Sequence, residues 1–311
     1  MNKIDAKSTR EAYGGSLLKV GIDERVVVLD ADLAVSTQTA EFRDRFRDRF
    51  FDVGCAEQNL IGTAMGISYG GKIVFASTYS IFAMRAWEMI RMACHDGLNI
   101  KIVTSHSGLT NAVDGASHQC LEDIALMRVL PNMEVFIPVD AVDTERVIEY
   151  CMESHGMTYI RLNREKTPIV FDETHEFEPG VGNIIVGGSD ITLIACGTMV
   201  DRAIKASKIL SKKDISARVI NLSSIKPMDK DMVLKCAKET NAIITIEEHS
   251  IYGGLGSAVA EILSERFPVK MKIMGVEDKF GQSGTYEELI NFYGLHENNI
   301  VENVINLIKE K

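Results

Sequence analysis

The segment Asp52-Val53-Gly54-Cys55-Ala56-Glu57-Gln58-Asn59 carries an apolar strand into a glycine and then opens a helix with a carboxylate in its first turn. A carboxylate at a strand-to-helix crossing of a parallel α/β unit stands where such folds place ligands. The helix macrodipole alone also favours an acid there. Gly62 and Gly66 let the same helix approach another backbone closely. Tyr79 and Phe82, three residues apart just after another apolar run, share a helix face and could clamp a flat ring. Core packing is the plainer use of such a pair. Arg85 continues that face, and an arginine on an aromatic face needs an acidic partner or a ligand anion.

A second group suits a polar, anionic substrate. His106 follows a strand, and Asp114-Gly115-Ala116-Ser117-His118-Gln119 is expected to open the next helix. Two histidines and an aspartate on one long loop fit substrate binding or proton transfer. The histidines are too far apart in sequence for a helical metal pair, and no third ligand is evident, so no metal site is expected. Arg10 precedes the first helix, Asp32 and Ser36 follow the first strand, and Arg161 and Arg164 follow the last strand of the first half. All leave a sheet edge where guanidinium and hydroxyl groups could meet an anion. His249, before Gly253-Gly254-Leu255-Gly256, reads as structural, because no full dinucleotide fingerprint follows a strand.

The rest of the chain limits the classes open to it. A net charge of -10 without a basic cluster argues against nucleic acid. No apolar run reaches the roughly 20 residues of a membrane helix. The first residues carry no signal-peptide core. The six cysteines are scattered without Cys-x-x-Cys, and read as buried reduced thiols of a cytoplasmic protein.

The elements that must position these side chains alternate strand and helix, the pattern of an α/β fold with a parallel sheet covered on both faces. Strands are expected at 26–29, 50–53, 73–76, 100–104, 135–137 and 159–162, with helices at 9–20, 56–69, 81–94, 121–130 and 141–155. Turn signals at Thr167-Pro168, Glu178-Pro179-Gly180 and Gly187-Gly188 mark a break. The expected domains are therefore 1–168 and 189–311, joined by a linker over 169–188. The second, smaller α/β domain has expected strands at 191–195, 218–221, 243–246 and 271–274. Its expected helices are 200–210, 230–240, 256–266, 287–292 and 298–310.

Ala56-Glu57-Gln58-Asn59, Asp114-Gly115-Ala116-Ser117-His118-Gln119, Asp32 with Ser36, and Phe280-Gly281-Gln282-Ser283-Gly284 together resemble the C-terminal half of a transketolase, over nearly the whole chain. The resemblance implies a pyrimidine-binding domain for thiamine diphosphate followed by a smaller, mainly structural C-terminal domain. The Gly-Asp-Gly motif that binds the diphosphate and Mg²⁺ in full-length members is missing: His95-Asp96-Gly97 and Val113-Asp114-Gly115 lack its first glycine. The chain thus resembles the C-terminal subunit of a split transketolase. A separate N-terminal subunit would carry the metal ligands, in a cytoplasmic heterotetramer with two copies of each chain.

What the resemblance implies for single residues follows by position. Glu57 would hydrogen-bond the aminopyrimidine and share its proton. Tyr79 and Phe82 would pack on that ring, and Asp32 and Arg85 would lie on the cofactor side. His106 and His118 would face the sugar and assist C–C cleavage, and Asp114 would meet a sugar hydroxyl. Arg10, Ser36, His106 and Arg164 would hold the substrate phosphate, with Arg161 the rival to Arg164. The implied reaction moves a two-carbon ketol unit from a ketose phosphate to an aldose phosphate, as in the pentose phosphate pathway. The usual Gly-Glu-Asp-Gly is replaced by Ala112-Val113-Asp114-Gly115, and the usual His-Asp-Ser by His106-Ser107-Gly108. Rival readings are a 1-deoxyxylulose-5-phosphate synthase-like subunit, a 2-oxoacid dehydrogenase beta-like subunit and a non-catalytic binding protein.

Overall fold

The computed structural model describes residues 6–309. Runs of Val, Ile and Phe, which suit a pleated and buried surface, build β1 (Val26–Asp30), β2 (Phe50–Asp52), β3 (Ile73–Tyr79), β4 (Ile100–Ser105), β5 (Met133–Phe136) and β6 (Met157–Arg161). They lie side by side in the order β5-β6-β4-β3-β1-β2, all parallel. The chain steps from β1 outward to β2 and then back past β1 to β3. The winding therefore reverses at β1 and β3, and the crevice beyond their carboxyl ends is the place for a ligand in such a sheet.

The second sheet holds β7 (Asn183–Val186), β8 (Ile191–Ala195), β9 (Ala217–Asn221), β11 (Ala242–Ser250) and β12 (Lys270–Val276), in the order β12-β11-β8-β9-β7. Between β9 and β11 the short β10 (Ser224–Lys226) leaves this sheet and pairs antiparallel with β5 of the first. One apolar core runs through both halves, from Leu29, Ile61 and Ile102 to Ile194, Ile220 and Leu255. A second, around Tyr13, Phe42 and Phe75, covers the other face of the first sheet.

Helices Thr9–Val20 and Lys230–Thr240 have their expected bounds, and most other elements differ from expectation by a few residues at an end. Four differences matter. The helix expected at 81–94 is three pieces, Ser80–Ala83, a 3-10 turn at Met84–Ala86 and Trp87–His95. The tightened turn frees the Arg85 carbonyl, which accepts from Gln58 Nε2 at 3.4 Å. Residues 114–119 do not open a helix: Ala112–Asp114 is a single 3-10 turn, and the helix starts at Asp123. Residues 169–188, expected as linker, contribute β7. Cys55 is exposed, unlike the five other thiols, and all six are free. Glu310, the last residue of the last expected helix, lies outside the described residues, as does the stretch 1–5. Among the described residues no helix is long and apolar enough to cross a membrane.

The two halves are bolted together by charge as well as by apolar contact. Arg161 at the end of β6 is 7% exposed, so its charge must be met inside the protein. Its Nε donates to Asp123 Oδ2 at 2.8 Å and its Nη2 to the carbonyl of Glu248 at 3.0 Å, on β11. Arg161→Met should leave the buried Asp123 charge without a counter-ion, with only the Tyr159 hydroxyl still bonded to it, and lower stability by about 3–5 kcal/mol. Urea denaturation of the purified chain measures this directly.

Candidate active site

Local rules set the first residues. Ser8 and Glu11 form a capping box on helix Thr9–Val20: Glu11 N donates to Ser8 Oγ at 3.3 Å and Ser8 N to Glu11 Oε2 at 2.9 Å. Thr9 is tied to Asn163 Oδ1 through both its N–H and its hydroxyl. Arg10 is thereby held in the first turn, beyond the end of the sheet. The buried Asp30 shapes the loop after β1, accepting from Leu33 N, Thr37 Oγ1 and Thr39 Oγ1 at 2.6, 2.6 and 3.0 Å. Burial pushes the Asp30 carboxyl up to about 6.

From Arg10 a continuous line of contacts crosses the carboxyl edge of the sheet. Arg10 Nη1 donates to the Ser36 carbonyl at 2.9 Å and to His106 Nε2 at 3.3 Å. Because a guanidinium can only donate, Nε2 must accept, so the proton sits on Nδ1 and is donated to Ser105 Oγ at 2.8 Å. The His106 ring stacks on Tyr79 with centroids 3.9 Å apart. Tyr79 in turn lies nearly parallel to Phe82, at 5.4 Å and 12°. These two rings touch each other in an offset stack, so they offer a surface for a flat ring and not a clamp around one. His118 meets the Phe82 ring edge-on at 5.4 Å. Arg85 Cζ sits 5.1 Å over the Phe82 ring, and its Nη1 reaches Glu57 Oε2 at 3.4 Å. Glu57 is the first residue of helix Glu57–Tyr69 and only 5% exposed.

His106 is 3% exposed, and burial, with the charges of Arg10 and Arg164, takes its pKa down to about 3. It is therefore a neutral ring at physiological pH. Burial, and then the Arg164 charge, also lower the pKa of Arg10. Two half-exposed guanidinium groups thus work against each other, and Arg10 Nε is buried without a partner among the described residues. An anion placed between them would relieve both.

The remaining expected residues lie apart from this line. Asp114 Oδ2 is 3.4 Å from Arg164 Nη1, both partly exposed. Asp32 is exposed, with φ +61; its N donates to Asp52 Oδ1 at 3.0 Å and its carboxylate accepts from Cys55 Sγ at 3.7 Å. Arg161, consumed by Asp123 and two carbonyls, is not free to meet a ligand. His249 is fully buried, donates from Nδ1 to the Ser250 carbonyl at 2.7 Å, and has its pKa lowered to about 4 by burial. Its glycine-rich neighbour serves Glu247, whose carboxylate accepts from Leu255 N and Gly256 N at 2.7 and 2.8 Å and so caps helix Leu255–Arg266. Ser105 and Asp52 escape a reading of the sequence, because a small polar residue at a strand end carries no spacing signal. Glu247 and Glu248, two acids closing an apolar strand, do carry one. Among the described residues no group of three His, Cys, Asp or Glu side chains is arranged for a metal ion.

This fold and this site define a pyrimidine-binding domain of the thiamine-dependent kind joined to its C-terminal companion. Residues 5–169 match the transketolase pyrimidine binding domain and residues 180–300 the transketolase C-terminal domain. The chain belongs to the transketolase family. A protein of Methanocaldococcus jannaschii whose name assigns it as a transketolase C-terminal section is 45% identical, over 98% of both chains. A 6-deoxy-6-sulfo-D-fructose transketolase subunit of a Clostridium species is 36% identical over 96% of this chain and 94% of its own. A solved split-gene transketolase, an inactive beta4 tetramer, superposes with a TM-score of 0.90 at 44% identity, covering 98% of this chain and 99% of that one.

The His106 geometry has a direct spectroscopic consequence. Nitrogen-15 spectra should show the Nδ1–H tautomer at pH 7 and no protonation of this ring down to about pH 4. The same shift makes His106 an acid-side liability. Its folded pKa lies below the ordinary 6.5, so the unfolded chain binds the extra proton, and stability falls as pH drops from about 6.5 to about 3. His106→Gln should flatten that part of the stability–pH curve.

Proposed function

We propose that this chain is the pyrimidine- and sugar-binding half of a two-chain transketolase, and that Glu57 is its essential acid–base residue. The observation that carries the reading is the seat of Arg85. A planar, N–H-bearing guanidinium lies over Phe82 and donates to the buried Glu57 carboxylate. An aminopyrimidine is also flat, and its imino form carries a ring N–H that a carboxylate can meet, so the aromatic face and the buried Glu57 fit thiamine diphosphate. When bound, that cofactor supplies the electron sink for breaking and making the bond beside a ketose carbonyl.

The residues of this chain then have separable roles. Glu57 hydrogen-bonds the ring nitrogen of the pyrimidine, donating while it holds the shared proton and accepting from the ring N–H once that proton has crossed. Tyr79 and Phe82 give the ring an apolar floor, and Asp32 borders the loop that leads to Glu57. Arg10 and Arg164, with Ser36, bind the substrate phosphate as a pair of guanidinium donors. His106 stays neutral and orients Arg10 through Nε2. His118, at the edge of Phe82, and Asp114 serve the sugar hydroxyls and the oxygen that gains charge during cleavage.

The diphosphate and Mg²⁺ would be bound by an N-terminal subunit, so that the site is assembled from two chains in a heterotetramer. Relatives of matching length that are named as subunits support this, among them an apulose-4-phosphate transketolase subunit of Phocaeicola vulgatus, 33% identical over 97% of both chains. The relatives' names carry different sugars, so the substrate is given as a class: a phosphorylated ketose donor and an aldose phosphate acceptor. The reading places the protein in cytoplasmic carbohydrate metabolism.

Calorimetric titration of thiamine diphosphate with Mg²⁺ should show binding to the chain mixed with its N-terminal partner and none to the chain alone. Glu57→Ala should abolish ketol transfer by the mixture while leaving the circular dichroism and thermal transition unchanged. Normal turnover in that variant, or consumption of pyruvate in place of a ketose phosphate, would sink the assignment.

A further inference from the structure

The loop that carries Asp114 and His118 is not held by its own half of the molecule alone. Gln119, 4% exposed, sends its Nε2 in two directions: to the carbonyl of Ala112 at 3.2 Å, across the loop, and to the carbonyl of Gln282 at 3.0 Å, in the second domain. Since both acceptors are carbonyls, the amide nitrogen is assigned without ambiguity. The other end of the amide, Oε1, is buried without a partner among the described residues and is pressed against Gly281. A Cβ on Gly281 would come within 1.7 Å of that oxygen and 2.8 Å of Cδ. A second close approach lies on the same seam. A Cβ on Gly115, which has φ +77, would sit 2.6 Å from Ser283 Oγ. Thus the Gly281-Gln282-Ser283 stretch abuts the 112–119 turn at its middle and at its far end, and neither Gly115 nor Gly281 has room there for a Cβ.

We propose that the 281–283 loop of the second domain is the positioning element for the sugar-binding turn, and that Gln119 is the positioning residue through which it acts. This rests on the transketolase reading of the site. It also gives the second domain a specific role, since it sets where Asp114 and His118 stand though it contributes neither. The coupling is short-range and steric. Moving the Gln282 carbonyl or filling Gly281 must move the Gln119 amide, and that amide is also the brace across the turn. Misplacement of substrate-positioning groups by about 1 Å is enough to cost up to about 100-fold in rate.

Gly281 is not among the residues at positive φ, so its backbone accepts alanine, and the collision with Gln119 is the effect that Gly281→Ala isolates. Two measurements test the proposal. In the chain alone, hydrogen exchange over residues 112–119 should speed up in Gly281→Ala and in Gln119→Ala, and the double variant should be no faster than Gln119→Ala. In the complex with the N-terminal subunit, each single variant should lower kcat/KM for the ketose phosphate by about 10- to 100-fold, mostly through KM, with thiamine diphosphate affinity unchanged. Again the double variant should match Gln119→Ala. Unchanged exchange in Gly281→Ala, additive losses in the double variant, or faster exchange with an unaltered KM would each overturn the proposal. Should the wild-type complex turn over no sugar, the transketolase reading fails, while the exchange measurement still decides whether the clamp exists.

Discussion

The carboxylate of Glu248 is the constraint on which the arrangement of this molecule turns. It is buried at the end of β11 and accepts from Leu109 N, from Thr198 Oγ1 at 2.7 Å and from Tyr286 OH at 2.8 Å. Burial pushes its carboxyl pKa up, against the opposing pull of Thr198 and Arg161. A buried carboxylate is tolerable only when its lone pairs are met, and here the donors come from three separate parts of the chain. One is the loop after β4, one the turn before helix Met199–Ser211, and one helix Tyr286–Phe292. The Glu248 carbonyl also receives Arg161, which in turn neutralises Asp123 and shares it with Tyr159 OH. Two of these bonds, from Leu109 N to the Glu248 carboxylate and from Arg161 to the Glu248 carbonyl, cross between the halves, and neither can form unless both sheets are in place. The polar network thus gives the interdomain contact a unique register, which apolar packing alone would leave loose.

The site inherits its order from that junction. Gly108, with φ +61, lies so close to Glu248 that a Cβ would come within 2.6 Å of its carboxylate, and the His106-to-His118 loop therefore leaves β4 along a single path. On the other side of the crevice, the aromatic line from His106 through Tyr79 to Phe82 rests on β3 and the short helix after it. The electrostatics follow from this packing. A histidine pressed between an aromatic ring and a guanidinium cannot hold a proton. An arginine pair with like charges and one unmet N–H is a place prepared for an anion.

The departures from the usual family pattern have visible consequences. Ala112 adopts φ +43, where the glycine of the usual Gly-Glu-Asp-Gly would be unstrained. Val113 stands 60% exposed where that pattern has an acid. The turn thus holds an alanine in a conformation that disfavours it. This is consistent with the turn being held from outside, by Gln119 and the 281–283 loop.

Much of this protein was legible in its residues alone. The alternation of Val/Ile-rich runs with amphipathic stretches dictated two α/β units, because a buried parallel strand and a half-buried helix each need that composition. The placement of Glu57, Tyr79, Phe82 and His106 after strand ends implied that they would gather at one sheet edge, since all parallel strands deliver their carboxyl ends to the same side. Short elements were not legible. β10 pairs with a strand of the other domain, and the helix Ala34–Thr37 is held by Asp30, so neither has a periodic signal of its own. Nor could local pattern choose between Arg161 and Arg164. Both are arginines at or just past the end of the same strand, and only the position of Asp123 and Glu248, distant in sequence, buries one and leaves the other at the surface. Local composition and period determine which elements form, because those preferences act between near neighbours. Which charges are paired, which histidine stays neutral and which loop is clamped depend on contacts between distant segments, and only the folded chain decides them.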